Sequence, residues 1–238
     1  MTGSRPARIW GLVAGQAASR GGPVSAADAC VAAVAAVEVT GAWLSAARGA
    51  EAGHLMRITD AVSGLLAELE LTLGEGPGQD AGACGGPVLA SDLGEVDAVR
   101  RWPVFSPAAR RAGAAAIFAF PLRVGAIRAG VMGLYRDRPG PLSAFQLGDA
   151  LVFADTATLL LLDAPGGQPA DLALHRAEID QATGMVTEQL GVGIAEAFIR
   201  LRAHAYAHDR ALSDLARDIV ARRIRLRPDP DPRQAGQV

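Results

Sequence analysis

The chain has 238 residues, half of them hydrophobic, and carries 23 arginines and no lysine against 25 acids, for a net charge of −2. A disordered polyelectrolyte is excluded, and the length allows one large buried core or two small ones. The near-neutral balance leaves the partner open, because a basic part can be offset by an acidic one, yet every cation present can make planar, bidentate contacts. Two cysteines, Cys30 and Cys84, are too few for a disulfide scaffold and have no metal-binding spacing, which fits a reducing, cytoplasmic setting.

In chain order, "RPARIWGLVAGQAAS" follows arginines with apolar residues as an export signal does, but the run is short and broken by Gly11, Gly15 and Gln16, which argues against export. "SAADACVAAVAAV" opens with Ser25 and, three residues on, Asp28, a variant capping box that starts a helix. "VTGAWLSAA" and "HLMRITD" read as strands on either side of the turn-like "RGAEAG". "AVSGLLAELEL" is helix-like, "LGEGPGQDAGACGGP" a glycine-rich loop and "PVLASDL" a short strand. The two apolar runs "AAIFAFPLRV" and "IRAGVMGLYRD", joined by "GA", give a hairpin signal. In "SAFQLGDALVFADTATLLLL", Ser143 and Gln146 form a capping box ahead of a long helix, whose apolar part carries Asp155 and is too short to span a bilayer. Strands with helices before and after them predict an α+β domain on one sheet over residues 1–163.

"DAPGGQPAD" reads as a linker over 164–171, and "PDPDPRQAGQV" as a disordered tail over 228–238. Between them, over 172–227, the pattern is helical only. Helices are expected at 172–190, 194–208 and 212–225, with apolar stripes Ile179, Ala182, Met185, Val186, Leu190; Ile194, Ala197, Phe198, Leu201, Ala205; and Leu212, Leu215, Ala216, Ile219, Val220. Three such stripes predict a three-helix bundle. Inside the first helix Gly184 costs about 1 kcal/mol relative to alanine. Close packing of a neighbouring helix against Ala182 and Gly184 is the favoured account, ahead of direct ligand contact.

Catalytic apparatus is not visible. His204 and His208 are four apart without the glutamate a metalloprotease places between them, and "LGEGPG" lacks the lysine and hydroxyl of a phosphate-binding loop. Nucleic acid fits better: residues 172–227 hold nine arginines against seven acids, leaving the remainder of the chain at −4. Arg202 and Tyr206 share a flank just outside the apolar stripe, an arrangement able to stack unpaired bases, though a solvated arginine beside a half-buried tyrosine has the same pattern.

On "QATG", "EAFIRLRAHA" and "LSDLARDIV", the C-terminal unit resembles the ANTAR domain, the RNA-binding antiterminator module of bacterial regulators. The matching residues are Ala182 and Gly184; Ala197, Leu201, Arg202 and Ala205; and Leu212, Leu215, Ala216 and Val220. Thr183 stands where many members have lysine, and Gly193 with Glu196 takes the capping-box positions. On "LTLGEGPGQDA", "GGPVLASDL" and the stretch from "RWPVFSPAARR" to "FQLGDAL", the upstream region is similar to GAF domains of the type fused to ANTAR in actinobacterial regulators, with Gly78 where relatives often have cysteine.

The resemblance implies a GAF domain, an antiparallel sheet with flanking helices, followed by the all-α ANTAR bundle. It further implies a cytoplasmic homodimer that binds mRNA leader stem-loops through Gln181, Thr183, Gly184, Arg202, Tyr206 and Arg210, with Arg222 and Arg223 as phosphate contacts. No cofactor is specified. The GAF part would bind a small ligand or serve as a dimer scaffold; Trp43 and Cys84 are candidate pocket residues, with core packing the favoured account of Trp43. The alternative is a sensor whose bundle docks a protein partner, RNA binding having been lost; Thr183 and the bundle's near-neutral charge keep it open.

Overall fold

A computed structural model describes residues 4–48, 51–163 and 170–227. Contacts divide the chain into two units, Met1–Leu172 and Ala173–Val238. The first contains α1 (Arg5–Arg20), α2 (Ala26–Val37), β1 (Gly41–Arg48), β2 (Glu51–Ile58), α3 (Ala61–Leu73), α4 (Pro77–Cys84), β3 (Val88–Ala90), α5 (Val96–Arg101), α6 (Phe105–Arg111), β4 (Ala116–Val124), β5 (Ile127–Arg136) and α7 (Ala144–Asp163). The strands form one antiparallel sheet in the order β2-β1-β5-β4-β3.

Both faces of that sheet are covered, which is why β4 reads as a continuous apolar run instead of an alternating one. Phe118, Phe120 and Leu122 point into a core built with α1, α2 and α7. Ile117 and Ala119 point the other way, into a second core with Trp43, Leu66, Ala81 and Phe105. Trp43 pairs in register with Gly133 on β5, and a Cβ at Gly133 would collide with the indole. The missing side chain lets the ring lie on the sheet.

The local start signals hold. The Asp28 carboxylate accepts from the Ser25 N–H and hydroxyl at 2.9 and 2.7 Å, and Ser143 and Gln146 exchange hydrogen bonds of 3.0 and 3.2 Å. The β4–β5 hairpin turns at Gly125 and Ala126 as expected.

Two further segments contain helices, the second against expectation. "RPARIWGLVAGQAAS" is an amphipathic helix, α1, that buries Ile9, Val13 and Ala17, while Gly11 and Gly15 have open space around them. The glycine-rich "loop" contains α4, because Gly76 (φ 137°) and Gly85 (φ 72°) sit at its two ends, where positive φ is needed, and Pro77 starts it. The helix α1 is tied to α7 by Arg5 and Arg8, whose guanidinium groups lie 3.1 and 2.5 Å from Oδ1 of the buried Asp149. The other Asp149 oxygen, Oδ2, is buried with no hydrogen-bond partner among the described residues. By length and composition α7 could cross a membrane, but Ala150, Phe153, Ala154 and Ala157 occupy the first core.

The second unit comprises α8 (Ala170–Leu190), α9 (Ile194–Ala207) and α10 (Leu212–Val220). Ala182, Val186, Ala197, Leu201, Ala205, Leu212, Leu215, Ala216 and Ile219 are buried, the core the stripes require. Ile194, expected in that stripe, is instead 60% exposed as the first residue of α9. The third helix stops at Val220, five residues before the expected end. Arg222 turns left-handed (φ 58°), and the Asp218 carbonyl accepts from the Arg223 and Ile224 N–H groups at 2.8 and 3.3 Å. The helix α8 begins inside the segment read as linker; residues 164–169 and the tail 228–238 lie outside the described residues.

Candidate nucleic-acid interface

Of the expected contact residues on α8, Gln181 and Gly184 are exposed. Among the described residues a Cβ at Gly184 would meet nothing within 4 Å, so close helix packing does not explain this glycine. Thr183 is a correction: it is only 8% exposed, and its hydroxyl donates to the Ile179 carbonyl at 2.8 Å. It belongs to the buried side with Ala182 and Val186, because consecutive residues 182 and 183 both fall within the wide apolar stripe of a bundle helix.

On α9, Tyr206 is 57% exposed. Arg202, one turn earlier, is half-buried with its guanidinium 5.8 Å from the Phe198 ring centre, and burial lowers its pKa from that of a solvated arginine. The turn after α9 brings Arg210 to Asp218 at 2.5 Å, while Arg223 reaches the other Asp218 oxygen at 3.1 Å. Hydrogen bonds from these two arginines hold the Asp218 carboxyl below the usual carboxylate range. Arg210, expected as an RNA contact, is therefore engaged within the bundle, whereas Arg222 is exposed. Gly193 has no side chain to complete a capping box, and Glu196 pairs instead with Arg200 at 3.1 Å. His204 and His208 stack with ring centres 4.1 Å apart, and among the described residues no group of His, Cys, Asp and Glu is arranged to hold a metal ion.

The first unit encloses a cavity of about 200 Å³ between the sheet and the α3–α4 layer, lined by Trp43, Glu70, Gly78, Pro121, Arg128 and Val131 among others. Trp43 is thus both a core residue and a cavity wall. Cys84 is exposed and absent from the lining; its sulfur accepts from the Gly86 N–H at 3.4 Å. Glu70 was not anticipated. It is 4% exposed, accepts from the Gly78 N–H at 2.5 Å, and is pushed up to about 8, chiefly by burial. Its sequence signal was its place on one helical face with Ser63 and Leu66, both buried.

The sheet order and the helices on its two faces recur in solved structures. The GAF domain of a phosphoenolpyruvate-protein phosphotransferase from Coxiella burnetii superposes with a TM-score of 0.50 at 12% identity, covering 67% of this chain and 95% of that one. The first unit has the GAF fold. The GAF domain of the Acinetobacter phosphotransferase (TM-score 0.48, 12% identity, 68% and 95% covered) and the GAF-B domain of DevS from Mycobacterium smegmatis (0.41, 16%, 66% and 93%) are also similar to this chain. Residues 173–220 match the ANTAR domain family, which spans α8 from its fourth residue to the end of α10 behind the GAF unit. No curated protein matches the chain.

Proposed function

We propose that the chain is a cytoplasmic, homodimeric antitermination regulator of the actinobacterial GAF-ANTAR type. Each helical bundle binds one stem-loop of an mRNA leader, so that a dimer holds two and keeps a terminator from forming. The GAF unit senses a small molecule or holds the dimer together. Arginine contacts to phosphates position the RNA, and loop bases are read by α8 and α9.

Besides the family match at 173–220, one observation carries this reading. A mid-helix glycine costs about 1 kcal/mol, and at Gly184 nothing among the described residues needs the space. A partner approaching the α8 backbone does. Gly184→Ala is accordingly expected to raise the unfolding free energy by about 1 kcal/mol, read from urea denaturation, while weakening RNA retention in filter binding of the full chain to a two-hairpin leader. Equal RNA retention by the variant removes the argument. For the dimer, α7 exposes Leu151, Leu159 and Leu162 along one side, a seam for a second copy that sedimentation equilibrium tests.

One observation favours a protein partner over RNA. The matched helices, 173–220, hold five arginines against seven acids, an unfavourable balance for gripping a polyanion.

A further inference from the structure

The missing positive charge lies directly after the matched helices. Residues 221–227, "ARRIRLR", contain four arginines and no acid. They do not extend α10, as the sequence pattern predicts, but leave it at the left-handed Arg222. A left-handed conformation is costly for a non-glycine residue, so arginine occupies a position where glycine would be the more stable choice.

Beyond that turn the segment alternates. Ile224 is half-buried and Leu226 buried, while Arg223, Arg225 and Arg227 are exposed. The Leu226 side chain is 8% exposed, and its N–H donates to the Gln189 side-chain oxygen on α8 at 2.9 Å. This pins the arm to the bundle with its cations outward. Asp218 joins the arm to the α9 flank, because it holds Arg223 and Arg210 at once, and the Arg210 N–H in turn bonds the Ala205 carbonyl at 2.9 Å, next to Tyr206.

We infer that residues 222–227 form a second RNA-contacting element, a basic arm outside the ANTAR match that carries the phosphate backbone while the α9 flank takes the loop bases. The inference rests on the RNA reading above and resolves its charge deficit: the helix trio is net acidic, the arm carries four positive charges, and polyanion affinity follows the number of phosphates neutralised. Arg222, Arg225 and Arg227 supply the contacts; Arg223, shared with Asp218, fixes where the arm starts.

The experiment uses the full chain in fluorescence anisotropy against a pool of labelled hairpin RNAs with randomised loops, across about 50–300 mM sodium chloride. Arg225→Gln with Arg227→Gln is expected to weaken binding roughly tenfold at the lower salt and to flatten the log–log salt slope by roughly 1.4–1.8, the share of two phosphates. The paired lysine variant should keep the slope. Leu226→Ala, which removes no charge but loosens the arm's anchor, should weaken binding as well. Wild-type affinity and slope in the paired glutamine variant overturn the arm while leaving the RNA reading intact. No salt-dependent RNA affinity in the wild type overturns that reading and the arm together.

Discussion

Tyr206→Ala is expected to weaken hairpin binding roughly 5- to 140-fold while leaving the unfolding free energy within about 0.5 kcal/mol of wild type. The affinity figure is what loss of one stacked base costs, about 1–3 kcal/mol, with each 1.4 kcal/mol worth a factor of ten. Stability should hold because Tyr206 is 57% exposed near the end of α9, so its ring contributes little to the bundle core. Tyr206→Phe keeps the stacking face and should keep most of the affinity. Arg202→Ala differs in kind. That side chain is half-buried over Phe198, so its loss should lower affinity and stability together, and only the comparison with Tyr206→Ala separates the two. Titration of both variants by anisotropy, with parallel urea melts, checks the assignment. If Tyr206→Ala binds like wild type, loop bases do not stack on this flank.

The second large effect belongs to the GAF cavity. Glu70 has an ordinary pKa of 4.5 and is pushed up to about 8 in the fold. The folded state therefore holds its proton across a range in which the unfolded chain has released it. Stability from this group is fully present below about pH 4.5, falls as pH rises, and is lost once pH passes about 8. At 1.36 kcal/mol per unit the total is on the order of 5 kcal/mol. Glu70→Gln cannot ionise, and its carbonyl can still accept from the Gly78 N–H. The variant should lack this fall and be the more stable protein at about pH 8.5, by several kcal/mol, with the gap narrowing toward about pH 5. Urea unfolding of both proteins across this range measures it. A constant gap between them would mean that Glu70 is ionised in the folded chain throughout.

What could be read from sequence followed from local chemistry. A two-residue turn between apolar runs fixed the β4–β5 hairpin, and the pairs Ser25–Asp28 and Ser143–Gln146 announced their helices because capping is a contact between neighbours in the chain. In α4, counting glycines hid the fact that two of them are the helix ends. The end of α10 was illegible for a different reason: no glycine or proline marks it, and a left-handed arginine gives no compositional sign. The arm was missed with it, since residues 223–227 fit a helical stripe as well as an extended one until the chain direction is known. The inward turn of Thr183 follows from its position beside Ala182 within the wide apolar stripe of a bundle helix. The cavity needed β1, α3, α4, β4 and β5 brought together, which no local pattern specifies.

The Asp149 cluster bears on where the N-terminal unit can be cut. A fragment beginning at Ser25, the first capped helix, would retain every strand but discard both cations that face this carboxylate, along with the apolar side of α1 that covers α2 and α7. That carboxyl group would then lose both ion pairs while the leucine and alanine side chains around it are freshly wetted. Such a trimmed protein should collect in the insoluble fraction on expression, whereas one starting before Arg5 should not.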